Sequence, residues 1–364
     1  MKILHVINAM SMGGAQSLLV DLIPAQMKLG HQVHLLQLGS PKDNTLLKKI
    51  EDKGVTVSTL NPNGSLYNPL LALKLSPFME GVDIIHVHLF PALYWVAFGK
   101  LWCRSKAKLV YTEHNTTNKR RNKPIFSKID QFIYKKYNLV VACSEKAKDK
   151  FEECFPGIPC YAISNGINVR KYSDAHSYSK RQFIDADEDV FVATMVARFR
   201  YPKRQDVLIN AVAKLPDKFH VVLVGGEDGS AEVERCKEIA KARGVSSRVH
   251  FLGLRSDVPE ILKSSDVIVM SSEYEGLSLS SLEGMSSGKP FVASDSNGLR
   301  EVVAGAGVLF KCNDIDELAG ILQRFSVDEE YYKDVIRKCQ SKAMQFDINR
   351  VAERYIEQYQ KQLE

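Results

Sequence analysis

Glu275 and Glu283 stand eight positions apart in Ser271-Ser272-Glu273-Tyr274-Glu275-Gly276-Leu277-Ser278-Leu279-Ser280-Ser281-Leu282-Glu283-Gly284-Met285. Two carboxylates at this spacing can each accept hydrogen bonds from hydroxyl groups. A helix starting between them would offer free backbone N–H groups to an anion. A phosphate flanked by hydroxylated groups is the ligand such a set suits, and a sugar nucleotide has that chemistry. The positioning elements are legible on either side. Asp266-Val267-Ile268-Val269-Met270 is a short apolar run of the kind that forms a fully buried parallel strand. After the carboxylates, Gly288 and Pro290 stop the helix in the usual order. The junction lies at the carboxyl end of a strand, where open α/β sheets bind ligands. A second reading stands beside this one. Ser280-Ser281-Leu282-Glu283 matches a capping box, with Ser280 as N-cap, Glu283 structural and Glu275 a solvated loop residue.

Strand and helix patterns alternate from end to end, which predicts parallel sheets covered by helices. Strands are expected over 2–8, 32–38, 55–60, 84–88, 109–112, 139–142 and 161–164, then over 191–197, 220–224, 249–252, 267–270, 291–293 and 308–309. The fold class is therefore α/β: two tandem Rossmann-like, doubly wound domains facing a cleft. At 364 residues the chain is too long for one ordinary core. Residues 1–168 make an N-terminal domain, 169–189 a polar linker, and 190–346 a second domain. An amphipathic helix closes the chain and completes the first domain as part of 347–364. Pro24 predicts a kink or break near Leu22.

Other strand ends carry glycine or charge. Gly13 and Gly14 follow the first strand and let backbone approach a ligand at a helix start. This is not Gly-x-Gly-x-x-Gly, so a dinucleotide cofactor is not expected. His86-Val87-His88 is expected to put one histidine on each side of its strand, with His88 nearer the ligand end; His114 directly follows another strand. No metal-ligand spacing is visible. Arg198 ends a strand and Lys203 opens the next helix; together they suit a diphosphate, or are ordinary surface charge. Gly225-Gly226-Glu227-Asp228-Gly229 and Gly253-Leu254-Arg255 close two further strands.

Composition is that of a globular protein, 45% hydrophobic and 25% charged. Seven scattered cysteines with no Cys-x-x-Cys spacing argue against disulfides and for a reducing cytoplasm. The N-terminal residues already read as a strand, leaving no room for a signal peptide. The longest apolar segment, residues 90–103, is too short to span a bilayer and reads as a buried helix. Net charge is +6, and no nucleic-acid partner is indicated. Seven basic residues (Lys119, Arg120, Arg121, Lys123, Lys128, Lys135, Lys136) face one acid, Asp130, over residues 119–136. Ile125, Phe126, Ile129, Phe132 and Ile133 recur between them near helical spacing. Such a helix can lie on an anionic membrane surface, or can be a core helix with a solvated basic face.

Taken together these blocks closely resemble the retaining glycosyltransferases of the GT-B fold, in the family-4 group. The match covers nearly the whole chain. Its most specific part is Glu275 and Glu283 with seven residues between them, then Gly288-Lys289-Pro290 and Asn297-Gly298-Leu299-Arg300-Glu301. Ser278 replaces a usual glycine, Ser280 a common proline and Gln16 a common acid. The resemblance implies that Arg198 and Lys203 grip the donor diphosphate and that Glu275 contacts sugar hydroxyls, with the amides of Gly276, Leu277, Ser278 and Leu279 nearby. It gives Glu283 the ribose hydroxyls and the turn from Gly253 to Arg255 the base. Gly14, beside Gly13, approaches the phosphate, and His114 sits close to the transferred sugar. It implies no cofactor and no metal: the nucleotide sugar, taken as a UDP-sugar, is the substrate. The acceptor is a glycan or lipid-linked glycan in bacterial surface polysaccharide assembly. The location is cytoplasmic, with His88 and the basic residues from Lys119 to Lys123 on the acceptor or membrane side at the inner face of the plasma membrane. Two alternatives share the scaffold: a non-catalytic sugar-nucleotide or glycan-binding protein, and a nucleotide-sugar epimerase.

Overall fold

The computed structural model describes residues 1–364 apart from residues 12, 115–123, 227–228 and 276–277, and apart from the side chains at 124 and 125. The apolar runs form thirteen strands among the described residues, all paired in parallel. The first sheet holds β1 (Lys2–Ile7), β2 (Gln32–Gln37), β3 (Thr56–Thr59), β4 (Ile84–His88), β5 (Lys108–Glu113), β6 (Leu139–Ala142) and β7 (Cys160–Ala162), in the order β3-β2-β1-β4-β5-β6-β7. The second holds β8 (Phe191–Val196), β9 (Phe219–Val224), β10 (Val249–Phe251), β11 (Val267–Met270), β12 (Phe291–Ser294) and β13 (Val308–Phe310), in the order β10-β9-β8-β11-β12-β13. Both are doubly wound sheets. Their strand order reverses between β1 and β4 and between β8 and β11, the two switch points where ligands bind in open α/β sheets. Each expected strand is present, with ends moved by one or two residues.

The chain divides into two compact units, Met1–Gly166 with Ile348–Glu364, and Ile167–Asp347. In the first, the final helix Ile348–Leu363 packs on the helix Gly14–Lys28 and buries Tyr355 and Tyr359. The stretch 169–189 is not a linker. It forms the short helices Val169–Ser173 and Lys180–Ile184 inside the second unit, where Val169, Tyr172, Phe183 and Ile184 are buried. Its polar composition hid these four apolar anchors, and burial of each favours docking by about 1.5–3 kcal/mol.

Pro24 does not break its helix, which runs unbroken from Gly14 to Lys28. The proline removes the hydrogen bond to the Val20 carbonyl, and the Lys53 ammonium supplies one at 3.0 Å while also pairing with Asp21. The segment read as a buried helix is Ala92–Cys103, and only one side of it is covered: Phe98, Leu101 and Trp102 are exposed, Trp102 by 71%. Composition could not reveal this, because the helix is apolar on both sides. All seven cysteines are free.

Candidate functional site

In the second unit the strand order reverses between β8 and β11, so the loops leaving those strands diverge and open a crevice. Lys203 comes from the loop after β8 and Glu275 from the loop after β11, and the two side chains form an ion pair across it. Ser272 donates to the same Glu275 carboxylate at 2.9 Å. A backbone bond ties the two loops together, the Glu273 amide donating to the Pro202 carbonyl at 2.8 Å, and the Glu275 amide donates to the Asn297 carbonyl in the loop after β12 at 3.0 Å. The Ser271 hydroxyl donates to the Arg204 carbonyl at 2.7 Å. Sequence reasoning missed Arg204. It bonds both carboxylate oxygens of Asp206, at 3.0 and 3.1 Å, and also Glu273, and these bonds hold its guanidinium fully charged. The signal available in the sequence was an arginine two residues before an aspartate at a helix start; the left-handed backbone at Arg204 is visible only in the structure. Arg198 is exposed at the end of β8 and has no carboxylate partner among the described residues. A guanidinium without an internal partner is open to an external anion.

Ser278, not Ser280, is the N-cap of the helix Leu279–Ser286; its hydroxyl accepts from the Ser281 amide at 3.4 Å. The capping-box reading therefore fails. The helix begins two residues earlier than it requires, which places Glu283 inside the helix rather than at its third position. There Glu283 accepts from the Tyr172 hydroxyl at 2.7 Å. Gly276 and Leu277 lie outside the described residues.

At the ends of β9 and β10, glycine is required by close approach. A Cβ on Gly225, which has φ +112°, would stand 2.7 Å from the Ala197 carbonyl, and one on Gly226 would meet Phe199 at 2.5 Å. The Gly225 amide donates to the Gly253 carbonyl at 2.8 Å, and Gly253 itself has φ +63°. These glycines shape a cavity of about 360 Å³ lined by Phe199, Gly226, Val233, Phe251 and Gly253. Its partly apolar lining, with the Phe199 and Phe251 rings, suits an aromatic base. Arg255 is held in a two-point bond to Asp257 beside this turn.

In the first unit, Gly13 is the N-cap and Gly14 the first residue of the helix after β1; a Cβ on Gly14 would meet no atom within 4 Å. The expectation for the β4 histidines is corrected. Residues two apart on a strand share a face, so His86 and His88 point the same way, with ring centroids 4.1 Å apart. The register places His5 of β1 opposite His86, and Thr112 of β5 opposite His88. His114 follows β5 and joins the same row: His88 Nδ1 lies 3.1 Å from His114 Nε2. His5, His86 and His88 bring a nitrogen each within 4.8 Å of one another. Both nitrogens of all three rings already have protein partners, so a cation there would have to displace those bonds. Burial lowers the pKa of His5 and of His114 to about 4, and that of His86 and His88 well below the usual value. All four rings are neutral near pH 7.

Lys119, Arg120, Arg121 and Lys123 lie outside the described residues. The rest of that stretch forms the helix Pro124–Tyr134, which buries Asp130, Ile133 and Tyr134 but exposes Phe126, Ile129 and Phe132 beside Lys128. A core helix with a solvated basic face does not describe these residues, because three of its apolar side chains face solvent. No helix among the described residues is long and apolar enough to cross a membrane.

Two doubly wound parallel sheets and charged strand ends at a switch point define the GT-B class of architecture. The sequence matches the model for glycosyl transferases group 1 over residues 178–342 and that for glycosyltransferase family 4 over residues 12–171. The chain belongs to the family-4-type glycosyltransferases of the GT-B fold. It is 30% identical over 207 residues to the N,N'-diacetylbacillosaminyl-diphospho-undecaprenol alpha-1,3-N-acetylgalactosaminyltransferase of Campylobacter jejuni, a match covering 55% of this chain and 54% of that protein. The chain thus spans about half the length of that relative. To the N-acetyl-alpha-D-glucosaminyl L-malate synthase of Bacillus anthracis it is 25% identical, covering 95% of this chain and 93% of the other. Among solved structures it is similar to Anabaena HepE in complex with UDP and glucose, with a TM-score of 0.82, 26% identity, and 99% and 100% of the two chains covered.

Proposed function

We propose that this protein transfers a sugar from a UDP-sugar to a glycan or lipid-linked glycan acceptor, with retention of anomeric configuration, in the assembly of a bacterial surface polysaccharide. The observation that carries the reading is the Lys203–Glu275 ion pair at the β8/β11 switch point, with Arg198 in the same loop as Lys203 and Glu283 in the helix that follows Glu275. The Anabaena structure holding UDP and glucose and the diphospho-undecaprenol named for the Campylobacter relative support it.

In this reading Arg198 and Lys203 receive the donor diphosphate, Glu275 the sugar hydroxyls and Glu283 the ribose. The base occupies the turn from Gly253 to Arg255, and His114 acts on the transferred sugar. The bond from the sugar C1 to the phosphate oxygen breaks with its electron pair going to the diphosphate. Fixed cations and backbone N–H groups stabilise that charge. The acceptor oxygen bonds C1 on the same face, and its proton passes to the departing phosphate. Those cations supply the charge a divalent metal would otherwise supply, so turnover is expected to persist in a chelator.

Thermal unfolding with a panel of nucleotide sugars tests the reading. A donor at a hundred times its Kd stabilises the folded protein by about 2.7 kcal/mol, so a UDP-sugar should raise the melting temperature and the others should not. A melting temperature indifferent to every nucleotide sugar would sink the proposal.

Membrane attachment belongs to the same reading. Trp102, Leu101 and Phe98 on one helix and Phe132, Ile129 and Phe126 on a neighbouring one are exposed beside Lys128 and Lys135. Amphipathic rings with adjacent cations suit an anionic bilayer surface, where each cation adds about 1 kcal/mol. Co-sedimentation with anionic vesicles should fall as salt rises and fall again in the Trp102→Ser/Phe132→Ser variant. Absence of binding at low salt would leave a water-soluble acceptor as the better idea.

A further inference from the structure

The histidine row in the first unit is one branch of a continuous buried hydrogen-bond network with Gln26 at its centre. Gln26 Oε1 lies 2.8 Å from His5 Nε2; His5 Nδ1 lies 3.0 Å from His88 Nε2; His88 Nδ1 lies 3.1 Å from His114 Nε2. On the other side, Gln26 Nε2 donates to the Tyr359 hydroxyl, which lies 2.6 Å from His86 Nδ1, and His86 Nε2 lies 2.7 Å from Thr112 Oγ1. Gln26, His5, His86, His88 and Thr112 are fully buried, so no water competes for these bonds.

A neutral imidazole carries one N–H and one lone pair, so each ring that accepts on one nitrogen must donate from the other. The proton positions along a branch are therefore not independent: one choice sets them all. Tyr359 makes that choice. At 2.6 Å from an imidazole nitrogen, a phenol is the more acidic partner and donates, which leaves its oxygen to accept from Gln26 Nε2. That turns Gln26 Oε1 toward His5, which must donate from Nε2 and accept at Nδ1. His88 then donates from Nε2, and so does His114. Nδ1 of His114 is left as an acceptor.

We propose that Gln26 and Tyr359 fix the tautomer of His114 through His5 and His88, so that His114 meets a sugar hydroxyl as a hydrogen-bond acceptor. Gln26, His5 and His88 are then positioning residues for the transfer reaction. The functional half rests on the glycosyltransferase reading, while the tautomer assignment rests on geometry alone. Fixing the tautomer matters because an imidazole with free choice offers the wrong nitrogen for part of the time and must reorganise before each turnover.

Long-range proton–nitrogen spectra of protein labelled with nitrogen-15 in histidine read the tautomers directly and need no variant. His5, His88 and His114 should each show the Nε2–H pattern at pH 7.5. An Nδ1–H pattern at His114 would overturn the proposal. Gln26→Met removes the acceptor for His5 while keeping side-chain length. In this variant the two ring nitrogens of His114 should move toward averaged shifts, and kcat should fall about tenfold with the donor KM within twofold. Tyr359→Phe, which frees the amide of Gln26 to turn, should act in the same direction and serves if the methionine variant does not fold. Unchanged His114 shifts in a folded variant would remove the control assigned to Gln26. Averaged shifts with unchanged kcat would remove its role in transfer. If the parent protein turns over no sugar nucleotide, the functional reading fails, yet the spectra still decide the tautomers.

Discussion

Replacing Arg198 or Lys203 by alanine lowers kcat/KM for sugar transfer by about two to three orders of magnitude, roughly 2–4 kcal/mol, the loss expected when one preorganised charge-stabilising donor is removed. The two substitutions should differ in kind. Arg198 is exposed and without a carboxylate partner among the described residues, so its loss subtracts a contact and little else. Lys203 is paired with Glu275 before any ligand arrives, and its loss leaves that carboxylate with Ser272 as its remaining side-chain partner among the described residues. An uncompensated carboxylate beside a diphosphate repels it, so Lys203→Ala should weaken donor binding more than Arg198→Ala. The Lys203→Ala/Glu275→Ala double variant should recover part of that binding but none of the turnover, a non-additivity expected of groups in one network. Initial rates with donor varied at fixed acceptor, plus calorimetry with the free nucleotide, separate these effects. If both single variants bind the nucleotide as tightly as the parent does, the diphosphate site has been misplaced.

Acid should destabilise the first unit well before ordinary carboxylates are protonated. The folded pKa of His5 lies at about 4, below the value of 6.5 in an unfolded chain. Below pH 6.5 the unfolded chain therefore takes up a proton that the folded protein refuses. The stability His5 contributes is present above pH 6.5 and is lost as pH falls toward 4, by about 3 kcal/mol in all. His86, His88 and His114 are shifted the same way by burial, and His86 and His88 also by neighbouring histidines. Their effects share one network and do not simply add. A melting temperature about 10 °C lower at pH 4.5 than at pH 7.5 is expected, on the usual scaling for a unit of this size. A His5→Gln variant that folds should lose part of that slope. A flat profile over this range would mean that the row is reached by water and protonates without unfolding.

What the sequence determined by itself is the sheet architecture and the presence of charged residues around the β8/β11 switch point. Most of the thirteen strands were legible because a parallel strand buried on both faces is a continuous apolar run, a signal that local order alone carries; the edge strands β3 and β7 are less buried. Arg198, Lys203 and Glu275 were legible because a charge just after a buried apolar strand stands out against it, and Glu283 was legible by its spacing from Glu275. The tertiary structure decided what those residues touch. The Lys203–Glu275 pair joins positions 72 apart, and the Tyr172–Glu283 bond positions 111 apart. Neither follows from periodicity, because sheet order rather than sequence order makes β8 and β11 neighbours. The same is true of the histidine row. His5, the pair His86 and His88, and His114 come from three separate apolar segments, and each histidine alone reads as structural. Parallel register between β1, β4 and β5 stacks them on one face, and a helix from the far end of the chain brings Tyr355 and Tyr359 against them. Local sequence sets which face a side chain takes relative to its neighbours in the strand; only strand pairing, a long-range choice, sets which residues of other strands share that face.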